Sequence, residues 1–77
     1  MYKVVVEEYD NNLKPVYYTK FETPNLNVAV DRFVTLCLSY KSSELKTSFM
    51  DYNEADITLM CDYDYIDHRH FVNERYC

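Results

Sequence analysis

The chain predicts an α+β fold: a small antiparallel sheet of four or five strands with one helix packed on one face, in the order ββαββ. Three observations carry this reading. The chain opens with two runs of β-branched and aromatic residues, joined by a short polar segment. Its middle then switches to the 3.6-residue period of an amphipathic helix. Strand-period runs return in the last third.

The elements follow in order. Tyr2 to Tyr9 reads as a strand, with Tyr2, Val4 and Val6 on one face and Lys3, Val5 and Glu7 on the other. Asp10 to Pro15 reads as a turn, because Asp and Asn bond their own backbone and tolerate left-handed geometry. Val16 to Phe21 completes a hairpin, with Tyr17 and Phe21 sharing a face. Pro24 breaks the strand, and Thr23 or Asn25 is placed to cap a helix. From Leu26 to Tyr40, the residues Leu26, Ala29, Val30, Phe33, Leu36, Cys37 and Tyr40 fall on one helical face. Val28, Val34 and Leu38 widen that apolar stripe.

Lys41 to Glu44 ends the helix, and Leu45 to Tyr52 reads as a third strand. Asn53 to Asp56 reads as a second turn, and Ile57 to Tyr65 as a fourth strand. Ile57, Leu59, Cys61, Tyr63 and Tyr65 are assigned to its core face, and Thr58, Met60, Asp62 and Asp64 to the other. On such a strand Asp62 and Asp64 form an acidic ladder with a spacing of roughly 6.5–7 Å. The tail from Ile66 is open between a short helix capped by Asp67 and a fifth, edge strand. Weak helix formers, histidine and β-branched residues, favour strand or irregular structure over helix.

Composition narrows the function. At 77 residues the chain is expected to be one domain, 1–77. Glycine is absent, which excludes phosphate-cradling glycine loops and dinucleotide fingerprints. The net charge is −5, so direct binding to nucleic acid or to an acidic membrane surface is disfavoured, while a basic partner is attracted. Nine tyrosines supply rings that serve core and contact surface alike. No run reaches the roughly 20 apolar residues of a membrane span, and no signal peptide pattern opens the chain. The expected location is therefore cytoplasmic, with reduced thiols.

Chemistry-bearing residues are few. His68 and His70, two apart, share a face on a strand but not on a helix. Nearby aspartates would favour their protonated forms. No Cys pair has zinc spacing. Cys37 lies on the helix core stripe, where a small buried hydrophobe is the expected role, and Cys77 is terminal. No residue set meets the needs of a catalytic site, so no enzyme activity and no cofactor are expected.

The acids are the stronger lead. The contact surface is expected to contain Asp62, Asp64, Tyr65 and Asp67, with Glu7, Glu8 and Asp10 as secondary members. Carboxylates at strand spacing match the separation of successive phosphates, which suits the basic groove of a nucleic-acid-binding protein.

In general build the chain resembles the small acidic inhibitors that bacteriophages encode against host defence, of the anti-CRISPR or DNA-mimic type. The resemblance runs over the hairpin Tyr2 to Phe21, the helix Leu26 to Tyr40 and the acidic strand Ile57 to Tyr65. It implies a non-enzymatic binder, monomer or homodimer, that blocks a host nuclease or nucleic-acid-binding complex in the host cytoplasm. Two other readings stand beside it: a small homo-oligomeric structural or regulatory module, and a metal-binding domain.

Overall fold

The computed structural model describes residues 1–41 and 53–72. Its elements are β1 (Tyr2–Tyr9), β2 (Pro15–Thr23), α1 (Leu26–Lys41), β3 (Glu54–Cys61) and β4 (Asp64–Val72). The four strands form one antiparallel sheet in the order β2-β1-β3-β4, with α1 on one face. The α+β class and the ββαββ order are those expected from the sequence.

Local chemistry builds the first half. The Asp10 carboxylate organises the β1–β2 turn, accepting from the N–H groups of Asn12 and Lys14 at 2.8 and 2.9 Å. With no glycine available, Leu13 takes the left-handed position there, at φ 61°. Asn25 caps α1: its side-chain oxygen accepts from the N–H of Asn27 at 2.9 Å and of Val28 at 3.3 Å. Lys41 sits in the last turn, where a cation complements the helix dipole.

The core lies between α1 and the two central strands. Val4 and Val6 of β1, Ile57 and Leu59 of β3, and Ala29 and Phe33 of α1 are its buried members. Each large one contributes about 1.5–3 kcal/mol relative to exposure. Leu36, Cys37 and Tyr40 pack around it half-buried. Leu26 and Val30, expected on the same stripe, are exposed. The arc that meets the sheet is narrower than the apolar stripe, and it is centred on Ala29 and Phe33.

Two expectations change, and one left open is decided. The turn expected at Asn53 to Asp56 is instead the start of β3, with Ala55 fully buried. Glu54 and Asp56 are polar because they occupy the sheet face away from the helix, not because the chain turns there. The run Ile57 to Tyr65 is two strands rather than one. Cys61 pairs with Asp64 across the two-residue loop Asp62-Tyr63, and Asp62 takes φ 54°. The sequence carries no Asn-Gly or Asp-Gly marker for that hairpin. The Asp62 N–H donates to the Met1 carbonyl at 3.0 Å, a bond between residues distant in sequence that anchors the turn. The tail is strand through Val72, with Ile66 as an unpaired bulge residue. The strand expected at Leu45 to Tyr52 lies outside the described residues, as does Cys77.

Candidate interaction surface

The β3–β4 hairpin tip collects four of the singled-out residues: Asp62, Tyr63, Asp64 and Tyr65. Tyr63, assigned by periodicity to the core, is 90% exposed, and Tyr65 is 76% exposed. The correction follows from the turn. A loop residue at the sheet end has no helix above it to pack against. The Lys3 ammonium stands 5.6 Å from the Tyr63 ring centroid, a cation–π contact that orients the ring without burying it.

The acidic ladder does not form on one strand face. Asp62 is in the loop, paired with the N-terminal ammonium at 3.2 Å. Asp64 opens β4 and makes no ion pair among the described residues. Asp67 lies further along β4, bound to Arg69 at 2.6 Å. Much of the expected negative charge is thus locally neutralised, and the two tyrosines are the most exposed large hydrophobic residues among those described.

The secondary acids disperse. Glu7 accepts a hydrogen bond from the Tyr9 hydroxyl at 2.8 Å on the face away from the helix. That bond, with burial and the Glu7 charge, pushes the Tyr9 pKa up to about 12. Glu8 is on the helix face and accepts from the Tyr40 hydroxyl. Asp10 is spent on its turn. Register places these three at the Glu54 end of the sheet, opposite the hairpin tip, which pairs with the Tyr2 end. At strand rise the separation is roughly 23 Å, so the two acid groups do not make one surface.

Between them, periodicity missed a cross-strand cluster. His68 and His70 share the open face of β4, as their spacing predicted. They meet Asp56 and Glu54, which have the same two-residue spacing on β3. Asp56 Oδ1 lies 3.0 Å from His68 Nε2 and 2.8 Å from His70 Nδ1, and Glu54 Oε1 lies 3.0 Å from His70 Nε2. Matched spacing on two strands of one hairpin was the available signal. It was hidden because the hairpin itself was read as one strand.

The hydrogen bond that the protonated His70 ring donates to Asp56 pushes the His70 pKa up from its ordinary value. Partial burial opposes this, and the Asp56 charge and Glu54 add to it. A raised histidine pKa stabilises the fold fully below the unfolded value of about 6.5 and stops doing so as pH rises through the folded value. The melting temperature should therefore fall as pH rises above about 6.5. Because His70 is 44% exposed, solvent screening keeps the effect under about 1 kcal/mol. The step should shrink in His70→Gln; an unchanged step would locate the titration elsewhere.

Among the described residues, no group of His, Cys, Asp and Glu is arranged to hold a metal ion, and no helix is long and apolar enough to cross a membrane. Cys37 is half-buried, and desolvation pushes its thiol pKa up, which makes it a poor nucleophile. It lines an open apolar groove of about 440 Å³ between α1 and β4, together with Val34, Leu38 and Ile66. No known family model matches the chain, and neither does any curated protein or solved structure. The functional reading rests on this geometry.

Proposed function

We propose that the protein is a non-enzymatic binding protein whose contact surface is the β3–β4 hairpin tip. The reading is that of a phage-type inhibitor, directed in the cytoplasm at a basic host partner such as a nuclease or nucleic-acid-binding complex. One observation carries it: Tyr63 in the two-residue turn and Tyr65 beside it on β4 are held 90% and 76% exposed, next to Asp62 and Asp64. Tyrosine rings exposed on a short, well-paired hairpin lose little conformational freedom on binding, which suits them to anchor a contact. The aspartates add attraction to a basic surface and speed encounter. The contact is thus aromatic first and electrostatic second.

The test is capture from bacterial lysate by the immobilised wild-type chain and by Asp62→Lys/Asp64→Lys. The wild type should retain a basic protein at low salt and lose it as salt screens the contact. The variant should retain much less while melting at nearly the same temperature. If both chains retain the same proteins, or neither retains any, the reading fails.

A further inference from the structure

Among the described residues β4 is an edge of the sheet, with β3 on one side only. Edge strands offer unpaired N–H and C=O groups to any passing strand. At His68 those groups are already taken. Its N–H donates to Asp67 Oδ1 at 2.8 Å, and its carbonyl accepts from Arg69 Nη1 at 3.0 Å. The same Arg69 nitrogen lies 2.6 Å from the same Asp67 oxygen, which closes the set. In an antiparallel ladder, two opposed residues of the bonded type exchange both bonds. Asp67 and Arg69 supply the acceptor and the donor that a neighbouring strand would bring.

The occupant that fits this edge is a second copy of the chain. Asp67-His68-Arg69 is self-complementary about a two-fold axis through His68. Antiparallel pairing there sets each Asp67 opposite the second copy's Arg69, so no like charges meet at these positions. Backbone bonds between the two His68 residues would replace the side-chain bonds of the clip.

We propose that β4 is a pairing edge for a second copy of this chain, held closed by a clip made of Asp67 and Arg69. The clip prevails in the isolated chain because it is intramolecular and loses no translational freedom on closing. The bulge at Ile66 is a second guard, since it bends the strand away from a flat pairing surface.

The test combines solution mass with amide hydrogen exchange. Asp67→Ala/Arg69→Ala should run at about twice the monomer mass as concentration rises. Adding His68→Pro should return it to monomer. Proline removes the edge N–H but no bond to β3, and edge strands admit it at such positions. In the wild-type chain the His68 amide should exchange roughly three- to tenfold more slowly than that of His70, which strand periodicity turns to the same outer side. That measurement stands even if the double variant fails to fold. Equal exchange at His68 and His70 would overturn the clip. A double variant that folds but stays monomeric, or association that survives His68→Pro, would overturn the pairing edge.

Discussion

Replacing Phe33 by alanine should remove about 3–5 kcal/mol of folding stability. Phe33 is the largest side chain that α1 buries, 5% exposed, and it sits against Val4, Val6, Ile57 and Leu59. Ala29 is the other fully buried helix residue, and it is too small to hold the helix by itself. A chain of this size has roughly 4–12 kcal/mol of stability in total, so the variant should lose about a quarter of it or more. Urea titration followed by circular dichroism measures the loss. Leu38→Ala is the control: Leu38 is 60% exposed on the same helix, and a surface change should stay within about 0.5 kcal/mol. Equal losses at the two positions would mean that the helix is not seated as described.

The second large effect concerns binding. Tyr63→Ala/Tyr65→Ala should weaken the affinity for the captured partner at least about 30-fold, since a central aromatic anchor is worth about 2 kcal/mol or more. Stability should barely change, because neither ring is buried and the Lys3–Tyr63 contact contributes only about 0.5–1 kcal/mol. Titration calorimetry with that partner reads the affinity, and a thermal melt reads the fold. Tyr63→Phe/Tyr65→Phe should keep most of the binding, because the rings carry the contact. If the alanine variant binds normally while Asp62→Lys/Asp64→Lys does not, charge alone carries the surface and the aromatic part of the proposal is wrong.

The candidate surface shows where one-dimensional reading ends. Alternating aromatic and acidic residues in Cys61 to Asp67 have the period of a strand, and the residues do lie in or beside strands. Nothing in that period marks the reversal at Asp62-Tyr63. Asp62 adopts positive φ without the glycine that usually announces it, and the bond anchoring it reaches back to Met1. Missing the reversal moved Tyr63 from the surface into the core and concealed the pairing of Asp56 and Glu54 with the histidines. By contrast, the first hairpin and the helix were legible almost to the residue. The Asp10 turn and the Asn25 cap are built from side chains bonding to neighbours in sequence.

Sequence by itself determined the class of fold, the helix, the first hairpin, and the shared face of His68 and His70. These depend on period and on short-range hydrogen bonds, which are written along the chain. Only the tertiary structure decided where β3 turns into β4, which tyrosines stay in water, which acids are already paired, and how the edge at His68 is closed. Those outcomes depend on groups that become neighbours only after the sheet assembles, so no local pattern encodes them.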